Sequence, residues 1–171
     1  MISIVKATTD DFKLLADIGK ETFIESHGHS AERSDVDAYV NKTYSYTSLQ
    51  EELSNTDNIY HIIYHGEQPA GYSKIVFNSP HPNIQLQNVT KLERIYLLSN
   101  FYRLKLGLKL LSFNVELSKK NNQAGTWLFV WKGNQQAVNF YIQNGFKIIG
   151  SYDFKLTETH SNPNHQMFLK Y

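Results

Sequence analysis

Three sets of residues have the types and spacing for chemistry. The first lies in Leu92 to Leu111, LERIYLLSNFYRLKLGLKLL. An apolar run from Leu92 to Leu98 is broken by Ser99 and Asn100. Aromatic and basic side chains follow from Phe101 to Leu106, and then Gly107. Beyond it the apolar residues take helical spacing: Leu106, Leu110, Phe113 and Leu117 on one face, with Leu104, Leu108, Leu111 and Val115 on the next. Strand, loop and helix in that order aim main-chain N–H groups and the positive end of a helix at one spot, which suits an anion such as a phosphate. The same pattern is also that of an ordinary core strand and core helix. The second set is acidic. Glu21 and Glu25 stand at i and i+4 on one helix face, and Glu32, Asp35 and Asp37 make the region around them acidic. The third is Glu93, an acid inside an apolar strand. Alternation puts it on the face of Ile95, opposite Leu92 and Arg94. It reads equally as a proton acceptor or as one half of an ion pair.

Other chemistries find less support. The chain has no cysteine, which removes disulfides, thiolate metal sites and a cysteine nucleophile, and is compatible with a reducing cytoplasm. Its seven histidines are scattered. His27 and His29 are too close in sequence and lack a third partner, so no metal is expected; either one could line a pocket. A net charge of +1 gives no field that would draw nucleic acid or an anionic membrane. The N-terminus lacks the apolar core of a signal peptide, and no run is long enough for a membrane span. A length of 171 residues with 41% hydrophobic residues suggests one domain, residues 1–171, with a real core.

The elements that must position these residues follow from periodicity and punctuation. Ile2 to Lys6 reads as an edge strand. Thr8-Thr9-Asp10-Asp11 starts a helix that runs to about Glu25 and stops before Gly28. Helical pieces follow at Ser34 to Tyr44 and Ser48 to Leu53, the latter capped by Thr47 or Ser48. Ile59 to Tyr64 and Ala70 to Phe77 form a hairpin around His65–Gln68. Asn78 to Thr90, with Pro80 and Pro82, is a loop. The Leu92–Leu111 unit comes next, its helix reaching about Lys120. Thr126 to Trp131 is an interior strand, with Trp127 and Trp131 on one face. A helix opens at Gly133-Asn134, buries Ala137, Val138, Phe140 and Tyr141, and ends at Asn144-Gly145. Phe146 to Phe154 and His165 to Tyr171 are the last strands, joined by a polar loop from Thr157 to Asn164. The order describes a mixed sheet with helices on its faces.

With these residues placed, the chain resembles the GCN5-related N-acetyltransferases (GNAT). The likeness rests on LERIYL, on the aromatic–basic loop with Gly107, and on WLFVW followed by GNQQAVNFYIQNGF. Within that superfamily it is similar to the PaiA-type polyamine acetyltransferases, through ETF at Glu21 to Phe23, ELSN at Glu52 to Asn55 and AGY at Ala70 to Tyr72. The loop departs from the family pattern at two places. Tyr102 stands where Gln or Arg is usual and Lys105 where the first glycine is usual. A lysine of negative φ would leave the loop's course unchanged.

The resemblance implies an α/β GNAT fold. Its central sheet is mixed and mostly antiparallel, of six to seven strands, with a splayed parallel pair and helices on both faces. It implies an N-acetyltransferase that uses acetyl-CoA as co-substrate. The main chain of Ile95, Tyr96 and Leu97 would bind the pantetheine arm like an added strand. Tyr102, Arg103, Leu104, Lys105, Leu106, Gly107 and Leu108 would hold the pyrophosphate, and Asn134 would touch the arm or cap its helix. Tyr141 would give a proton to the departing thiolate, and Glu93 would be the base for the acceptor amine or orient one through water. Glu21 and Glu25 would border the acceptor, a primary amine such as a polyamine. Relatives of this kind dimerise, which implies a homodimer. The alternative is a catalytically silent module of the same fold that binds a CoA derivative or a protein partner.

Overall fold

The computed structural model describes residues 1–171. Seven strands make one sheet: β1 (Ile2–Lys6), β2 (Ile59–His65), β3 (Gln68–Val76), β4 (Thr90–Leu97), β5 (Gly125–Trp131), β6 (Lys147–Lys155) and β7 (Ser161–Lys170). Their spatial order is β1-β2-β3-β4-β5-β7-β6. Every neighbouring pair is antiparallel except β4 and β5. Five α-helices cover the faces: α1 (Phe12–His27), α2 (Arg33–Thr43), α3 (Tyr46–Ser54), α4 (Leu106–Lys120) and α5 (Gln135–Gln143).

Local chemistry explains most boundaries. Before α1, the Thr8 side chain and the Asp11 carboxylate satisfy each other's main chain in a capping box. Ser45, not Thr47 or Ser48, caps α3 by accepting from the Ser48 N–H at 3.1 Å. The first helix continues past Glu25 to His27 and ends at Gly28. The last strand starts at Ser161 rather than His165, so the expected polar loop is mostly strand. Ser161, Asn162 and Pro163 pair with Lys155, Phe154 and Asp153 of β6. They lie beyond the end of β5, whose last partner in β7 is Asn164. Pro163 is tolerated there because one side of the strand has no ladder to feed.

Two apolar layers result. Leu15, Phe23, Val36, Val40 and Leu49 of α1–α3 pack on Tyr60, Ile62 and Tyr72 of the sheet. On the opposite face, Leu111 of α4 and Val138 and Tyr141 of α5 pack on Ile75, Leu92, Leu128 and Met167. No helix is long and apolar enough to cross a membrane.

Candidate active site

The centre of the sheet is open. β4 and β5 pair only at Thr90–Thr126 and Lys91–Trp127. Beyond those two registers β4 runs on to Leu97 and β5 to Trp131 with nothing between them. On its other side β4 is laddered to β3 except at a bulge on Glu93, and the Leu98 N–H donates to the Ala70 carbonyl at 2.9 Å. Antiparallel alternation then assigns the main-chain groups of Tyr96 to β3 and turns those of Ile95 and Leu97 toward the gap. A cavity of about 670 Å³ occupies this opening, within the usual range for a small-molecule site.

One end of the cavity is the loop into α4. A short 3-10 turn, Ser99–Phe101, leads to Tyr102, and Arg103 and Lys105 both take left-handed φ, 67° and 58°. The lysine therefore adopts the conformation a glycine would hold without strain, so the condition of a negative φ is not met. Left-handed backbone costs a residue with a Cβ about 1 kcal/mol. No side chain caps α4, so the N–H groups of its first turn are left for a ligand. Tyr102, Arg103, Lys105, Leu106, Gly107 and Leu108 line the cavity; Leu104 does not, and its side chain is exposed because this twisted loop turns it outward.

The carboxylate of Glu25 holds this loop from outside. It accepts from the Ser99 N–H at 2.8 Å and from the Ser99 hydroxyl at 2.6 Å. Neither Glu21 nor Glu25 lines the cavity. The acidic helix face points to solvent and to Ser99, so the expected acidic border of the site is not formed by these two residues.

Tyr141 stands in the cavity wall, 7% exposed, edge-on to Phe140 and Phe146. Burial pushes its phenol above the usual range, so the proton is firmly held at neutral pH. Asn134 also lines the cavity, and its Oδ1 caps α5 by accepting from the Ala137 N–H at 3.1 Å.

Glu93 is paired. Its Oε1 lies 2.7 Å from Lys74 Nζ and its Oε2 lies 3.6 Å from Lys91 Nζ. Burial alone would raise its pKa, but the Lys74 charge and hydrogen bond and the Lys91 charge outweigh it and leave the carboxyl below its ordinary value. Lys74 Nζ also meets Glu52 at 2.8 Å, and Glu52 takes Arg94 at 3.0 Å. Arg94 donates to Tyr60 Oη at 2.7 Å and lies over the Tyr44 ring. Tyr60 donates to Glu52 in turn. Glu93 and Arg94 thus join one network, while Leu92 and Ile95 pack together on the other face. This departs from strict alternation. The register between β3 and β4 shifts between Lys74 and Ile75, and the resulting bulge puts both charged residues on one side.

A family model described as the acetyltransferase (GNAT) family matches residues 21–146. The chain belongs to that family. Among curated relatives of this acetyltransferase, an N-acetyltransferase encoded in the pepI 3′ region of Lactobacillus delbrueckii is 26% identical, covering 91% of this chain and 90% of its own. A spermidine N(1)-acetyltransferase of Thermoplasma acidophilum is 22% identical, with 86% and 89% covered. Among solved structures, PaiA N-acetyltransferase from Thermoplasma acidophilum in complex with coenzyme A has the same fold. Its TM-score is 0.79 at 22% identity, over 100% of this chain and 99% of that one.

The acetyltransferase cavity also has walls that were not expected to line a site. Phe23 and Tyr39 come from α1 and α2, Phe154 from β6, and Asn162 and Asn164 from β7. Apart from Phe23, which closes the ETF motif, none carries a local motif. Their signal is distributed over four elements that meet only in the fold.

Proposed function

We propose that this acetyltransferase moves the acetyl group of acetyl-CoA to a primary amine by direct attack, with no covalent enzyme intermediate. The reading treats residues 1–171 as one catalytic domain. The observation that carries it is the unpaired stretch of β4 facing β5, with open main-chain groups at Ile95 and Leu97 and a cationic, uncapped helix start at its end. An extended amide-bearing arm can complete the ladder there. Arg103, Lys105 and the first N–H groups of α4 suit a pyrophosphate.

The amine nitrogen attacks the thioester carbonyl carbon, a C–N bond forms, and the C–S bond breaks to expel a thiolate. Tyr141 supplies the proton to sulfur. Its raised pKa keeps the phenol neutral until a thiolate, itself titrating near ~8.5, develops beside it. The acceptor must lose a proton before attack, because an alkylammonium titrates near ~10.4. Glu93 is held by two lysines, which makes it a poor direct base; it attracts the ammonium and orients the water that takes the proton. A polyamine acceptor is favoured by one observation, the relative named as a spermidine acetyltransferase.

Acetyl-CoA at ~100 times its Kd should stabilise the fold by roughly 2.7 kcal/mol. Tyr141→Phe should lower kcat about 100-fold in a thiol-release assay and leave acetyl-CoA affinity unchanged. No thermal shift at millimolar acetyl-CoA removes the enzymatic reading. Unchanged turnover in the variant removes Tyr141 from its role.

A further inference from the structure

Away from the α4 loop the cavity is lined by rings. Phe23 stacks on His27 at 4.7 Å and lies 4.7 Å from Tyr39, which meets Phe154 edge-on at 5.7 Å. His27 lies 5.7 Å from Trp131. Glu25 ties this ring-lined end to the loop end. It sits in the last turn of α1, where Phe23, Ser26 and His27 line the cavity. At 3.6 residues per turn those three fall within one arc of ~100°, and Glu25 lies outside it. Its two carboxylate oxygens take both donors of Ser99, the N–H at 2.8 Å and the hydroxyl at 2.6 Å. Ser99 opens the 3-10 turn that leads into the α4 loop.

That loop needs a hold. Its turn makes two main-chain bonds, Phe101 N–H to the Leu98 carbonyl and Tyr102 N–H to the Ser99 carbonyl, each at 3.0 Å. The N–H groups of Arg103, Leu104 and Lys105 find no main-chain acceptor, and Arg103 and Lys105 have left-handed φ. Free N–H groups in such a run suit an anion, and their aim is set by where the turn before them sits. Phe101 anchors the turn by packing on Ile63, Ala70, Leu106 and Leu110. Glu25 anchors it by hydrogen bonds.

We propose that Glu25 is a positioning residue for the cofactor: its paired bonds to Ser99 hold the 3-10 turn so that the N–H groups after it converge on the pyrophosphate. The proposal rests on the placement of the pyrophosphate at the α4 loop in the reading above, and it adds how that loop is held. Charge and hydrogen bonding act in opposite directions here. As a charge alone, a carboxylate beside an anion site repels the anion. The charge does reach the loop: burial first and the Glu25 carboxylate second push the Tyr102 phenol up. Loss of the charge should therefore tighten binding, and loss of the bonds should weaken it.

The test is calorimetric binding of coenzyme A, which needs no turnover, to the parent and to Glu25→Ala, Glu25→Gln, Ser99→Ala and the double alanine variant. Glu25→Ala loses both bonds and should weaken coenzyme A about tenfold. Glu25→Gln sheds the charge and keeps both bonds, its carbonyl oxygen accepting from the Ser99 N–H and its amide donating to the hydroxyl, so it should bind as tightly as the parent or tighter. Ser99→Ala keeps the N–H bond and should weaken coenzyme A about threefold. Adding it to Glu25→Ala should cost nothing more, because the two residues act through one contact. Every variant should melt within ~4 °C of the parent. A merely structural tie would lower the melting temperature and leave the coenzyme A affinity of the folded protein alone. Unchanged or raised affinity in Glu25→Ala, a loss in Glu25→Gln equal to that in Glu25→Ala, or a further loss in the double variant overturns the proposal. No binding of coenzyme A to the parent overturns the acyl-transfer reading instead.

Discussion

At the loop end of the cavity the walls are mostly main chain; at the ring-lined end they are side chains. The α4 loop offers N–H groups and a helix start, and its side chains are largely exposed. It keeps its course with Tyr102 and Lys105 in places the family usually gives to other residues. The ring-lined end is assembled from α1, α2, β4, β5, β6 and β7, with buried rings, and its Glu93 and Arg94 belong to a charge network with Glu52 and Lys74. A site made of backbone depends on φ and ψ, which many residues can adopt at modest cost. A site made of packed side chains depends on each one and on its neighbours. The two ends should therefore respond to substitution very differently.

The largest contrast is expected at Arg94. Arg94→Met strips Glu52 of one partner, frees Tyr60 and removes the guanidinium from the Tyr44 ring. Taking one member from a buried charge network costs roughly 3 kcal/mol, which for a chain of this size lowers Tm by roughly 6–12 °C. A Tm within ~2 °C of the parent would show that the network adds little beyond packing.

A smaller effect concerns acid. Burial, with the charge of His29 adding to it, holds His27 down to about 4, against an unfolded value near ~6.5. Between those values the unfolded chain binds the proton and the folded chain refuses it, so stability falls as pH falls through this window. His27→Phe should remove that contribution and flatten the acid limb by up to ~1.4 kcal/mol per pH unit. Parallel curves for parent and variant would mean that His27 is protonated normally in the fold.

The smallest effect belongs to the loop end. Lys105→Gly relieves the left-handed backbone and should stabilise the protein by about 1 kcal/mol, or roughly 2–4 °C in Tm. A loss of stability would show that the lysine side chain holds the loop, and the contrast between the ends would narrow.

The same contrast governs what could be read from the sequence. The strand–loop–helix from Leu92 was legible because apolar period, Gly107 and basic residues are all local. So was the fold class, from the order of strands and helices. The face of Glu93 was not, because a one-residue bulge against β3 reverses the alternation that any strand reading must assume. The start of β7 was hidden by Ser161, Asn162 and Pro163, which resemble a loop and become strand by pairing with β6. Glu21 and Glu25 kept their helical spacing, but spacing does not say whether a helix face meets a cavity or solvent. The use of Glu25 by Ser99, 74 positions away, is visible only in three dimensions.

The two-register join of β4 to β5 bears on how a large substrate enters. Nothing has to be unzipped to admit it. The sheet is stitched at Thr90 and Lys91 and already parted beyond them, so binding energy need not be diverted into prying strands from each other. The folded chain carries a ready-made vacancy in its own hydrogen-bond lattice, and the incoming molecule serves as its missing thread.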